Sequence, residues 1–191
     1  GEKLTMEINL RKTVKLVFLL FASLLIASAS AAVYYAITME PSVTIQNAVV
    51  QFAQGSDWPS GSTLGTNGTW VSLSLKAYPN ATLIYEEPLN ISNTDSASHQ
   101  FRLRHVSISP ASGDSSVSNF TFIRFVVKNS SGVAQASFNY STSGDTWTTP
   151  STTSYLTLPA STEWIIYVET KAAAGAASGL SVNIVIAVDV Q

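Results

Sequence analysis

The spacing in this chain with a defined chemistry is asparagine followed two residues later by serine or threonine. It marks acceptors for glycan transfer to the side-chain nitrogen. Six positions fit: Asn67, Asn80, Asn90, Asn119, Asn129 and Asn139. Each lies near an expected turn or strand end. Asn90 fits least, because it falls inside the apolar stretch Leu89-Asn90-Ile91.

Other candidate chemistry is sparse. His99 and His105 are six residues apart, and an even spacing on a strand puts both on one face, as a metal pair would need. No carboxylate pattern accompanies them, so they read as surface or structural residues. Asp95, Asp114 and Asp145 sit among Ser and Gly, the ordinary place for Asp in turns. No dense Asp loop for calcium is present. Gly-x-Ser-x-Gly, His-Glu-x-x-His and a phosphate-binding glycine loop are all missing from the sequence. We therefore expect no catalytic, metal or cofactor residues. Trp58, Trp70, Trp147 and Trp164 could bind sugar but read as core or interface anchors, with Trp58 and Trp147, in loop-like sequence, as the two candidates for exposure.

The composition narrows the setting. The 191 residues contain no Cys, so disulfides and thiolate metal sites are excluded. Charged residues make up 12%, about half the usual share for a soluble protein. From Val33 onward, ten Asp/Glu face six Lys/Arg. That balance offers no basic footprint for nucleic acid. Low charge, many hydroxyls and no Cys fit an extracellular β protein stabilised by core burial, sheet pairing or assembly.

The elements that position these residues begin with a leader. Lys12 and Lys15 precede the apolar run Leu16 to Ile26, and small residues follow to Ala32. This is the order of a secretory signal, with A-x-A patterns that place cleavage after Ala29, Ala31 or Ala32. The competing reading is a retained helix, since the uncharged run Leu16 to Met39 is long enough to span a bilayer. The expected organisation is a leader at 1–32, an N-terminal strand at 33–45 and a β-sandwich domain at 46–191. Val33, Tyr34, Tyr35, Ile37, Met39 and Val43 are the apolar, β-prone residues of that strand, with Glu40-Pro41 as a hinge. It either pairs within its own domain or is donated to another copy.

Short strand signals fill the rest, separated by turn residues. They are Val43 to Phe52, Trp70 to Lys76, Leu83 to Tyr85, Leu89 to Ile91, Gln100 to Ile108, Phe120 to Lys128, Val133 to Tyr140, Ser154 to Leu158 and Trp164 to Glu169. Residues 57–68 read as a loop, and the small-residue stretch 172–178 as a connector that either lies close to a neighbouring backbone or, the favoured reading, is flexible. In the last strand Leu180, Val182, Ile184, Ile186, Val188 and Val190 share one face, which marks it as central. Roughly nine or ten strands predict an all-β sandwich or jelly roll.

The order of features resembles the TasA/camelysin-type fibre proteins and their archaeal counterparts, the bundling pili and threads. The resemblance rests on a signal segment ending in small residues, then Ala32-Val33-Tyr34-Tyr35 and the loop Gly55-Ser56-Asp57. It continues through Leu89-Asn90-Ile91-Ser92-Asn93, Phe101 to Val106, and a long alternating final strand. It covers most of the chain as a likeness of layout. It implies a jelly roll and an extracellular cell-surface filament polymerised by donor-strand complementation, serving adhesion, bundling and biofilm formation. The implied partners are further copies of the chain and neighbouring filaments, with membrane contact through the leader during export. Some such fibres add an intermolecular Lys–Asn or Lys–Asp isopeptide bond, and nothing in the sequence selects Lys76, Lys128 or Lys171 for one. With the leader retained, an archaeal type IV pilin-like subunit becomes the nearer comparison. A membrane-anchored carbohydrate-binding sandwich is the third reading.

Overall fold

The computed structural model describes residues 12–21 and 48–191. The chain divides into two compact units, Gly1–Thr44 and Ile45–Gln191. In the first unit, residues 12–21 are helical. Among the described residues no helix is long and apolar enough to cross a membrane. The expected cleavage residues Ala29, Ala31 and Ala32, and the strand residues Val33, Tyr34, Tyr35, Ile37, Met39 and Val43, lie outside the described residues.

The second unit is all-β and forms a two-sheet sandwich. Its elements are β1 (Val50–Gln54), β2 (Thr63–Leu64), β3 (Trp70–Leu75), β4 (Thr82–Asn93), β5 (His99–Ser109), β6 (Phe120–Lys128), β7 (Ala134–Ser143), β8 (Thr146–Thr148), β9 (Leu156–Leu158), β10 (Glu163–Ala172) and β11 (Val182–Val190). A short 3-10 turn, Val117–Asn119, precedes β6. One sheet has the order β1-β4-β10-β6-β7-β8 and the other β2-β3-β11-β5-β9. Among the described residues the strand pairings within both sheets are antiparallel.

Period-two alternation explains the core. Successive side chains of a strand point to opposite faces, so every second residue meets the facing sheet. Val71, Leu73 and Leu75 of β3, Phe101 and Leu103 of β5, and Ile123, Phe125 and Val127 of β6 are all fully buried. So are Val182, Ile184 and Ile186 of β11, which lies between β3 and β5 as a central strand. Phe125, Phe138 and Tyr140 form an edge-to-face cluster with ring centroids 5.7–6.3 Å apart.

Several expectations are corrected. The strand expected from Val43 begins at Val50 among the described residues, and Ala48 and Val49 are outside it. The two pieces around Glu86-Glu87-Pro88 are one strand, β4. Its pairing with β10 passes from Leu89↔Ile166 to Tyr85↔Val168, so Glu86, Glu87 and Pro88 stand opposite the single residue Tyr167. A proline has no N–H to give a ladder, and an irregularity of this kind is where a strand accommodates one. The loop 57–68 contains the short strand β2, which pairs with β3.

The connector expected to be flexible is tied down. Ala173 N donates to Asn119 O at 2.9 Å, Ala177 N donates to Asn119 Oδ1 at 3.0 Å, and Ala172 N donates to Tyr78 O at 3.2 Å. Its small residues allow this close approach of backbones. Neither of the two tryptophans in loop-like sequence is exposed, and the core-anchor reading holds for both. Trp147 is buried in β8, where its Nε1–H donates to Pro110 O at 2.9 Å and its ring lies 5.7 Å from that of Phe120. Trp58 is half-buried against the core.

Candidate functional site

A sheet edge carries unpaired N–H and C=O groups, so each edge must be blocked, covered or used. At β1, the 65–68 turn covers the edge. Phe52 N donates to Gly68 O at 2.6 Å, and Gly68 adopts φ 63°. A Cβ there would stand 2.8 Å from Gln51 Cβ, so the close approach requires glycine. Just beyond β1, β4 is met at Glu86 and Glu87 by Asp57, whose N donates to Glu87 O at 2.9 Å and whose Oδ2 accepts from Glu86 N at 3.2 Å. The edge of β5 is met by Thr153, which bonds Leu103 N and O at 2.9 and 3.0 Å. Beyond that, β5 runs on to Ser109, with a register shift beside Val106 in its pairing with β11, and Pro110 follows its end.

β7 is finished differently. β6 pairs with it from Ala134 to Ser141, but on the other side β8 pairs only with Ser141, Thr142 and Ser143. The outer edge of 134–140 therefore has no strand beside it among the described residues. The strand sequence AQASFNYSTS holds no charge, no proline and no glycine. A cleft of about 340 Å³ separates Gln135, Ala136 and Ser137 from the passing segment Ser151–Ser154. At the same flank the two sheets are joined by His105 Nδ1 and Tyr140 Oη, 2.9 Å apart. Burial lowers the His105 pKa and raises that of the Tyr140 phenol, so the pair favours a neutral imidazole beside a protonated phenol.

The structure separates the two histidines. His99 Nε2 lies 2.7 Å from Asp95 Oδ2, while His105 serves the inter-sheet contact. The hydrogen bond from His99 holds the Asp95 carboxyl below its usual range. Among the described residues no group of three or more His, Cys, Asp or Glu could hold a metal ion.

The six glycan acceptors have different surroundings. Asn67, Asn80 and Asn139 are exposed. Asn139 lies within β7 rather than at a strand end. Asn129 shapes a turn through Oδ1, which accepts from Ser131 N at 3.1 Å and Val133 N at 2.9 Å. Asn119 holds the connector and is half-buried. Asn90 is buried at 4% exposure in mid-strand. Its Nδ2 donates to Glu87 Oε1 at 2.9 Å and Glu163 Oε1 at 2.8 Å, leaving Oδ1 without a hydrogen-bond partner. Its hydrogen bond, with that of Ser56, lowers the pKa of Glu87.

Trp70 was expected as an anchor but is 41% exposed, on the outer face of the five-stranded sheet. The ring lies so close to Gly65 that a Cβ there would stand 2.4 Å from Nε1. Arg104, Val106, Val185 and Ala187 extend this face. Arg102 and Arg104 both bond Asp189, and Arg104 is the larger cause of its lowered pKa. Nothing in the sequence pattern separated β7 from the other edges, because pairing across a sheet is set by chain winding.

No family model matches the chain, and no curated protein matches it. Three solved structures are similar at low level. A protein from Sulfurospirillum deleyianum has TM-score 0.30 and 11% identity, over 63% of this chain and 97% of its own. The enzymatically active domain of bacteriophage CBA120 tailspike protein 4 has TM-score 0.30 and 15% identity, over 78% of this chain and 20% of its own. An arabinose-bound α-L-arabinofuranosidase has TM-score 0.23 and 16% identity, over 75% of this chain and 22% of its own. This chain thus spans about a fifth of the length of the last two, and at these TM-scores the similarities carry no argument.

Proposed function

We propose that the chain is a structural, non-catalytic subunit of an extracellular filament, polymerised by donating the segment 33–45 as a strand to another copy. The observation that carries this reading is the uncharged outer edge of 134–140, seven residues with no strand beside them among the described residues. Such an edge is an aggregation hazard unless a strand occupies it. The alternation of successive strands between the sheets, from β3 to β6 and again from β8 to β11, supports the finer reading as a jelly roll. The layout resembling TasA/camelysin-type fibre proteins points the same way. Glycans on the exposed Asn67, Asn80 and Asn139 would coat the assembly and raise its solubility.

The test is deletion of residues 33–40 from the full chain, followed by negative-stain imaging and circular dichroism. The reading expects a folded β subunit that forms no filaments, where the intact chain does. Filaments formed equally well by the deleted chain contradict it. A second reading, a carbohydrate-binding sandwich that stays monomeric, is favoured by the Trp70 face, where a fixed ring offers a surface for a sugar to stack on. Saccharide-dependent quenching of tryptophan fluorescence in a monomeric protein, lost in Trp70→Ala, would favour it over the filament.

A further inference from the structure

We infer that the glycan on Asn80 folds back onto the ring of Tyr78, so that its first sugar occupies the cleft beside that turn. This rests on the glycan-acceptor reading and is independent of strand donation. Three observations single out Asn80. Of the six acceptors it is the one with an aromatic residue two positions earlier, where the others have Gly65, Pro88, Val117, Val127 and Ser137. Tyr78 is the most exposed aromatic of the described β domain, at 55%, and among the described residues no other ring and no cation stacks on it. Tyr78 and Pro79 also line a cleft of about 460 Å³, together with Lys76, Ala177, Gly179 and Leu180.

The turn keeps acceptor and ring together. Tyr78 and Ala81 are bridged across Pro79 and Asn80, and Asn80 adopts φ 58°. Proline pre-sets its own φ and asparagine tolerates the left-handed region, so the pair suits a tight turn. Pro79 is bridged to Ala172, and Ala172 N donates to Tyr78 O at 3.2 Å, which fastens the turn to the sandwich. Glycan transfer forms a bond from Asn80 Nδ2 to C1 of the sugar while the C1–O bond to a lipid-linked phosphate donor breaks. The nitrogen gives up one proton, and the phosphate leaves with the electron pair. The apolar C–H face of the sugar can then lie on the electron-rich face of the ring. The cleft is within the range of small-molecule sites, about 300–1,000 Å³. Lys76 is exposed at this cleft and has no ion pair among the described residues, so its ammonium is available to sugar hydroxyls. Attachment favours this occupant over a free saccharide. A tethered sugar meets the ring at an effective concentration of about millimolar, where weak stacking suffices.

The test is a double-mutant cycle on the full chain, made in a host that glycosylates asparagine, with each acceptor's occupancy read by glycopeptide mass spectrometry. Every urea-unfolding value is taken relative to the same variant made in a host that lacks the transfer enzyme, which cancels the strain of glutamine at a positive φ. On this scale Asn80→Gln should raise the unfolding equilibrium constant about fivefold, the order of one aromatic contact. In a chain already carrying Tyr78→Ala, the same change should move it less than about 1.5-fold, because the sugar has lost its platform. Tyr78→Phe keeps the ring face and should retain the fivefold effect. Asn67→Gln is the control, with the same effect whether or not Tyr78→Ala is present. Equal effects of Asn80→Gln with and without Tyr78→Ala overturn the docking and leave the glycan reading standing. Glycans on Asn67 or Asn139 with none on Asn80 do the same. Loss of the coupling in Tyr78→Phe overturns the ring-face contact. A chain with no glycan at any of the six positions overturns the acceptor reading and this inference together.

Discussion

The two edges of the six-stranded sheet are built in opposite ways. At β1 the chain folds its own turn over the edge, and glycine permits the contact: Gly68 packs on Gln51 and Phe52, and Gly55 lies against Glu87. At β7 the chain turns away after three paired residues and leaves the remainder open. What holds β7 is its inner side, through pairing with β6 and burial of Phe138 and Tyr140. The contrast teaches that an edge can be well ordered without being closed. The β1 edge is part of the fold's own stability, whereas the outer edge of β7 at 134–140 has no strand beside it among the described residues.

Substitutions should separate these roles. The largest expected effect is Phe138→Ala, which empties a fully packed site and should cost about 4 kcal/mol in urea unfolding. Its failure to destabilise would mean that β7 is not held by its core face. Gly55→Ala comes next. The added Cβ would stand 2.0 Å from the Glu87 carbonyl oxygen, a backbone atom that yields only if the strand moves. The expected loss is about 3 kcal/mol by the same measurement. On the open edge, Ser137→Lys should leave subunit stability within about 0.5 kcal/mol while suppressing polymerisation, since the side chain is exposed and the charge opposes strand pairing. Equal effects of Gly55→Ala and Ser137→Lys on unfolding would erase the contrast between the edges.

Smaller changes probe the inter-sheet contact at the open flank. Tyr140→Phe removes the hydroxyl hydrogen-bonded to His105 Nδ1 and should cost about 1 kcal/mol. The pH dependence has a definite sign. Burial lowers the folded pKa of His105, so the folded state favours neutral imidazole. Stability is intact above the ordinary histidine pKa of about 6.5 and falls as pH drops below it toward the folded value. The carboxylates of Asp189 and Glu87 have lowered pKa values, so their contributions are lost at still lower pH, below about 4. His105→Leu should flatten unfolding free energy against pH just below about 6.5, leaving the acid limb in place.

Much of the fold was legible because burial follows alternation. Phe101 and Leu103, or Ile123, Phe125 and Val127, announce a half-buried strand from sequence alone. Pro88 misled, because proline normally ends a strand and only the partner's register shows the irregularity that admits it. Trp147 misled because its neighbours Thr146 and Thr148 resemble a loop, while burial came from Phe120 and Pro110, distant in sequence. The candidate site was less legible for a related reason. Alternation shows which face a residue takes but not which strand lies beside it, so the open edge of β7 appears only when both sheet orders are known. The glycan acceptors show the same limit: identical spacing puts Asn139 on the surface and Asn90 under two carboxylates.

The central claim is that β7 gains a neighbour on assembly, and amide hydrogen exchange measures this most directly. Exchange is compared between filaments of the intact chain and the subunit lacking residues 33–40. The account predicts that the outward-facing amides among Ala134–Tyr140 slow by at least about a hundredfold in the filament, while those of β1 are unchanged. Equal exchange of 134–140 in the two states, or new protection at β1 instead, would contradict it.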